Sequence, residues 1–248
     1  MSFLIEQFIQ LLVFLNGIFG SLGWAIIGFT VLVRAVLLPL TVSSIKAQKQ
    51  LRDLQPELKK LNKKHGKDKQ ALQAAQLQLY QKYNVNPLAG CLPQLVQIFL
   101  LIVLYRALLD FLNGGLVSDE ALQFGWLNLA QPDPTYALPI IAAVTQLLLS
   151  LMIAPGAETP DLVSNKSKDK QIKEANEKEE NTAEMAASMQ QQMLYIMPLM
   201  TGFIAARFPS GLALYWVIAT LFSLGQQYYI SGWGGLTSYY QRLVSRFK

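Results

Sequence analysis

Residues 24–40 read Trp24-Ala25-Ile26-Ile27-Gly28-Phe29-Thr30-Val31-Leu32-Val33-Arg34-Ala35-Val36-Leu37-Leu38-Pro39-Leu40, an apolar run interrupted by one charge. No acidic residue lies within two helical turns of Arg34. A guanidinium at bilayer depth costs roughly 2.5–3.5 kcal/mol on insertion scales and more than about 10 in some simulations. A chain that keeps such a charge gives it water or a ligand. The run therefore points to a membrane protein with a polar cavity.

The rest of the chain agrees. Of 248 residues, 52% are hydrophobic and only 15% charged, against about a quarter charged in a typical soluble domain. Long uncharged stretches alternate with charge-dense ones, the pattern of an all-α polytopic membrane protein. Five stretches approach the roughly 20 residues needed to cross a bilayer core: Trp24 to Val42, Leu88 to Leu112, Tyr136 to Ala154, Met189 to Ala206 and Gly211 to Ile230. Backbone in lipid must satisfy its own hydrogen bonds, so each is read as a helix. Phe3 to Phe19 carries Glu6, Gln7 and Gln10 on one face, with Ser2. It is read as an amphipathic helix lying in the membrane interface rather than a sixth span or a cleaved signal. Gly17, Gly20 and Gly23 are expected to break or turn the chain before Trp24.

Charge sets the orientation. Ten basic residues fall between Lys46 and Lys82, none in Asn113 to Thr135, and Arg242, Arg246 and Lys248 in the tail. The positive-inside rule then places the N-terminus outside and the C-terminus in the cytoplasm. The resulting layout has an N-terminal interfacial helix (1–22), a first span (23–42), a cytoplasmic helical hairpin (43–86) and a second span (87–112). An external loop (113–135), a third span (136–154), a charged cytoplasmic loop (155–188) and a fourth span (189–206) follow. An external turn (207–210), a fifth span (211–230) and a short cytoplasmic tail (231–248) complete it. In the hairpin, Leu51, Leu54, Leu58 and Leu61 recur at helical spacing, and Leu72, Leu79, Tyr80 and Tyr83 continue a sparser face. Pro56 is expected to kink or restart the first arm.

Polar residues inside the spans are few: Thr30 one turn before Arg34, Gln97 in the second, Thr145 and Gln146 in the third, Thr201 in the fourth and Tyr215 in the fifth. One basic residue with neutral hydrogen-bonding neighbours makes a modestly polar cavity rather than a proton relay. Asp110, four residues after Arg106, is expected to form a local ion pair with it. The lone His65 and lone Cys91 offer no metal cluster and no internal disulfide. Cys91 is read as a small buried residue. No paired carboxylates, serine–base couple or phosphate loop appears, so no enzyme, cofactor or metal is expected. The basic residues are not interleaved with a stacking platform, so nucleic-acid binding is not expected.

Several ordered motifs resemble one family. They are Thr30-Val31-Leu32-Val33-Arg34 with Leu38-Pro39-Leu40-Thr41; Leu54-Gln55-Pro56 with Leu79-Tyr80; and Asn86-Pro87-Leu88-Ala89-Gly90-Cys91-Leu92-Pro93 with Gln97 and Leu104-Tyr105. Asp133-Pro134 with Leu138-Pro139 follows, then Phe208-Pro209-Ser210-Gly211-Leu212 through Leu214-Tyr215-Trp216 to Gln226-Gln227. From about Trp24 to Ile230 the chain resembles the YidC/Oxa/Alb superfamily of membrane protein insertases. The resemblance implies five transmembrane helices around a hydrophilic groove open to the cytoplasm and to lipid. It places Arg34 in that groove, with Thr30 and Gln97 as neighbours, and makes Tyr215 and Trp216 a substrate-contacting aromatic pair. Gln146 is added as a groove candidate.

The implied partners are nascent membrane proteins and the lipid bilayer, with a Sec-type translocon and the ribosome as transient partners. The implied location is a bacterial plasma membrane, with thylakoid or organellar membranes as further settings. The chain departs from the family pattern at Phe99, where proline is common, and at Ala219 and Thr220, where an Asn is common. It is also expected to lack a large external domain and a basic ribosome-holding extension. The mechanism this implies lets a short hydrophilic tail enter the groove, draws its acidic residues to Arg34 and releases its apolar helix sideways into lipid. A small anion channel or transporter using Arg34 as its binding site is the competing reading.

Overall fold

A computed structural model of the chain describes residues 2–65, 69–86, 92–113, 120–154, 194–237, 240 and 244. Pro87 to Cys91, the charged loop 155–188 and the tail cations lie outside these residues. The helices are α1 (Ser2–Phe19), α2 (Leu22–Val36), α3 (Leu38–Asp53), α4 (Gln55–His65), α5 (Lys69–Lys82), α6 (Leu92–Asn113), α7 (Ala137–Ile153), α8 (described over Leu194–Ala205) and α9 (Ser210–Ser231).

The apolar run around Arg34 is not one straight span. It breaks at Leu37, and α2 and α3 meet at 66°. The cause is Pro39. The helical ladder runs from the Leu37 N–H to the Val33 carbonyl and resumes from the Thr41 N–H to the Leu37 carbonyl. The carbonyl of Ala35 would need the N–H of residue 39, which proline lacks, and the ring crowds the same carbonyl. The same arrangement recurs at Leu54: its N–H bonds Gln50, the Leu58 N–H bonds Leu54, and Pro56 removes the donor that would serve Arg52. The stretch expected as one hairpin is thus three helices. α3 leans on α9, and only α4 and α5 pair with each other. Tyr83, just past α5, donates to Glu57 at the start of α4 (2.7 Å), so the pair is antiparallel. That bond, with lesser contributions from desolvation and the Glu57 charge, raises the pKa of the Tyr83 phenol.

α9 is the central helix, packed against α2, α7, α3 and α6, while α1 packs on α2 and α6. The shared core includes Leu12, Leu22, Ile26, Phe29, Leu104, Leu108, Leu129 and Leu212. α1 buries Leu12 and Leu15 in this core and turns Glu6, Gln7 and Gln10 outward. Of the three glycines expected to interrupt the chain, only Gly20 does, at φ +65°, where a side chain would be strained. Gly17 and Gly23 lie within helices, and Gly23 sits under the Phe124 ring.

The sequence reads the connection 113–135 as a plain loop in an all-helical chain. It contains a two-stranded antiparallel ribbon, β1 (Gln123–Phe124) and β2 (Leu127–Asn128). Strands of two residues are too short for alternation to show in sequence. The ribbon closes one end of the bundle. Leu129 and Gln131 carbonyls accept the Gly211 and Ser210 N–H groups (3.1 and 2.7 Å), and the Ser210 hydroxyl donates to the Asn128 carbonyl (2.6 Å). Asp133, 2% exposed, anchors the following helix. Its carboxylate accepts from the Thr135 N–H (2.9 Å), the Thr135 hydroxyl (2.7 Å) and the Leu138 N–H (2.8 Å). Burial alone would raise its pKa, but these donors outweigh it and hold the carboxyl below the ordinary value.

Among the described residues, no single helix is long and apolar enough to cross a membrane by itself, whereas the bent pair α2–α3 passes together. α9 is diluted by Gln226 and Gln227. α7 and described α8 are apolar but shorter. Outward faces are nonetheless greasy: Val36, Ile98, Ile102, Ile140, Val144, Leu199 and Phe203 are all exposed. Arg106 and Asp110 are both exposed and form no ion pair with each other. An exposed pair of this kind gains too little to hold two long side chains in one geometry.

Candidate functional site

Arg34 occupies the last turn of α2, one turn before the Pro39 bend, and is 8% exposed. Its guanidinium reaches two other helices. Nη1 donates to Ser223 Oγ on α9 (3.1 Å), and Nη2 donates to Gln97 Oε1 on α6. Ser223 in turn donates to the Ala219 carbonyl (2.9 Å), so its oxygen is free to accept from the arginine. Both acceptors are neutral. No carboxylate approaches the guanidinium among the described residues.

Around this cluster the buried Arg34 Nε has no hydrogen-bond partner among the described residues, and the Gln97 amide and the Tyr215 hydroxyl lie beside each other without forming a well-aligned bond. Tyr215 is 1% exposed and projects from α9 two turns before Ser223. Buried polar groups in native proteins are overwhelmingly paired, and each exception calls for a reason. Polar groups from three helices, loosely paired around one cation, describe a site with unused donor and acceptor capacity. Such a site can take a carboxylate, a peptide group or water without dismantling the fold.

The other sequence candidates are placed differently. Thr30 is fully buried, but its hydroxyl donates to the Ile26 carbonyl of its own helix (2.6 Å). It stands one turn before Arg34 on α2 and forms no hydrogen bond with it. Trp216 is half-buried. As the residue after Tyr215 it points about 100° away around the helix, so the two do not act as one face. Gln146 is half-buried on α7, which packs on α9, and no hydrogen bond joins it to Arg34. Helical periodicity shows which side of α7 carries Gln146 but not which helix that side meets.

Ser223 is the residue that sequence reasoning missed. Tyr215, Ala219 and Ser223 stand at i, i+4 and i+8 and therefore share one stripe of α9. That spacing was the available signal. Below it, Gln226 Nε2 donates to Thr41 Oγ1 (3.0 Å), fastening α9 to α3 just past the bend.

Comparison with known proteins places the chain among relatives. The family described as 60Kd inner membrane protein matches residues 14–234. A membrane protein insertase YidC of Fusobacterium nucleatum is 36% identical over 234 residues, covering 93% of this chain and 98% of that protein. One from Neisseria gonorrhoeae is 35% identical over 218 residues, covering 88% of this chain but 34% of the relative. The chain thus spans nearly all of the first and about a third of the second. In structure, the chain is similar to an active YidC insertase crystallised with its first transmembrane domain resolved. The TM-score is 0.62 at 24% identity, over 91% of this chain and 46% of the other. That likeness speaks for the fold.

Proposed function

The chain belongs to the 60Kd inner membrane protein family, that of the YidC insertases, and on that premise we propose that it inserts nascent membrane proteins through the Arg34 cluster. The reading takes α2, α6, α7, α8 and α9 as five spans around a hydrophilic groove, with the N-terminus outside and the α4–α5 pair in the cytoplasm. α9, at 22 residues, reaches about 33 Å, whereas α7, at 17, reaches about 25 Å of a core near 30 Å.

The observation that carries the proposal is a buried guanidinium held only by neutral acceptors. The bonds from Arg34 to Gln97 and Ser223 are already charge-assisted on the donor side, and a carboxylate adds a full opposite charge and a bidentate fit to the guanidinium fork. A substrate carboxylate can therefore displace Gln97 or Ser223 from Arg34 and be released again. Entry into a polar, partly satisfied site lowers the cost of carrying a short hydrophilic tail part of the way across. The following apolar helix then leaves sideways, since it is more stable in lipid than in water by about 25 cal/mol per Å². No nucleotide enters this scheme; the membrane potential acting on an acidic tail adds to the drive. The alternative of an anion channel is the weaker reading, because Arg34 is the single buried cation among the described residues.

Photocrosslinkers at positions 97, 216 and 223 test the reading during synthesis of a single-span substrate. Crosslinks to the substrate tail at 97 and 223 are expected. Their absence, with insertion proceeding normally, would overturn it.

A further inference from the structure

Arg52 sits at a junction that the insertase reading does not use. It lies in the last turn of α3, half-buried. Its Nη1 donates to the Met152 carbonyl in the last turn of α7 (3.2 Å), and its Nη2 donates to Ser231 Oγ at the end of α9 (2.7 Å). One side chain therefore joins three helices at the end of the bundle remote from the β1–β2 ribbon. The C-terminal ends of helices carry partial negative charge and unpaired carbonyls. A planar guanidinium fork reaches one such carbonyl, that of Met152, and the Ser231 hydroxyl at once, whereas an ammonium is a single point of charge.

The chain beyond α9 is shaped around this junction. Gly234 has φ +55°, and a Cβ there would collide with both the Met152 carbonyl and the Arg52 guanidinium. A Cβ on Gly235 would collide with the carbonyls of Ala154 and Leu151. Position 234 thus needs glycine for its backbone conformation and for the close approach. At the opposite end of α3, Gln226 holds Thr41. α3 is fastened to α9 at both ends, and the Pro56 break at Leu54 follows two residues after Arg52.

We propose that Arg52 is a positioning residue that fixes the base of the α4–α5 pair to α7 and α9. α3 then moves with the bundle, and any swing of α4–α5 is confined to the joint at Leu54. The consequence for function rests on the insertase reading: the pair is kept at a set place relative to the Arg34 cluster. The anchoring itself does not depend on that reading.

The test is a distance measurement in the full chain in lipid nanodiscs. Cys91, the single native cysteine, is replaced by Ser, and spin labels are placed at Lys46 on α3 and Tyr229 on α9, both exposed. The unsubstituted junction is expected to give one narrow distance distribution. Arg52→Ala is expected to lose it, and Arg52→Lys to broaden it, since one ammonium cannot serve both acceptors in the same way. An unchanged distribution in Arg52→Ala would overturn the proposal. If that variant fails to fold, Ser231→Ala decides: it removes one acceptor and leaves the guanidinium, so broadening supports anchoring and an unchanged width overturns it. The distances are read without substrate, so the outcome for Arg52 stands whether or not insertion is observed.

Discussion

Asp133 and Arg34 are the two charged side chains buried among the described residues, and they are treated in opposite ways. Asp133 is surrounded by donors from Thr135 and Leu138 that are fixed by a tight turn, and its charge is favoured. Arg34 is given two neutral acceptors on separate helices, and loosely paired polar groups remain around it. A charge whose bonds are all local and complete serves the fold. A charge whose bonds are neutral, long-range and incomplete is available for exchange. On the proposed reading, the difference separates a structural charge from a working one.

The largest expected effect on stability falls on the structural charge. Asp133→Ala leaves the buried Leu138 N–H without an acceptor, while the donors of exposed Thr135 can turn to solvent; it is expected to cost about 1–3 kcal/mol, read as a lowered unfolding midpoint in detergent. Insertion per folded molecule is expected to hold. A stable variant with lost insertion would erase the distinction.

Next is Ser223→Asp, which supplies Arg34 with an internal carboxylate. An internal ion pair competes with the substrate by about the 1.5–3 kcal/mol typical of a hydrogen bond to a charged group. Insertion of acidic-tailed substrates is expected to fall by roughly tenfold or more, measured by protease protection in proteoliposomes. Unimpaired insertion would mean that Arg34 does not need to be exchangeable.

Much of this division is legible in the sequence. The apolar runs announce the helices, and a lone arginine with no acid nearby announces the site. The restart at Pro56 is readable, but the equal break at Pro39 is not, because an apolar run continues across it and composition does not register a lost N–H. Ser223 is hidden because a serine in a span most often bonds its own helix, as this one also does. Arg52 is one of ten cations in a basic stretch. Only the meeting of three helix ends distinguishes it. Gln146 shows the converse, a polar residue of α7 with no hydrogen bond to Arg34.

A smaller effect is expected from Ser223→Ala. It removes one neutral acceptor from Arg34 and should change stability by about 1 kcal/mol or less. Acidic-tail insertion is expected to be retained, because the guanidinium becomes more available. Strong loss would show that Ser223 positions Arg34 rather than merely occupying it.

The smallest effect is the pH dependence of Asp133. Its folded pKa is depressed, so its contribution is fully present above the unfolded value of about 3.9 and is lost as pH falls through the folded value. Asp133→Asn should flatten the stability profile only in that acidic window. Equal acid sensitivity in both proteins would remove Asp133 as the fold's titrating anchor.

If Arg34 is a counter-charge for a passing carboxylate, its removal must discriminate between substrates by tail charge alone. Two single-span substrates that differ only in an acidic or a neutral tail are inserted side by side by the unsubstituted chain, Arg34→Lys and Arg34→Ala. Arg34→Ala is expected to lower acidic-tail insertion selectively, by about tenfold or more for the loss of a charge-assisted contact. Arg34→Lys should retain most of it. An acidic-to-neutral ratio that is the same in all three proteins would contradict the counter-charge role.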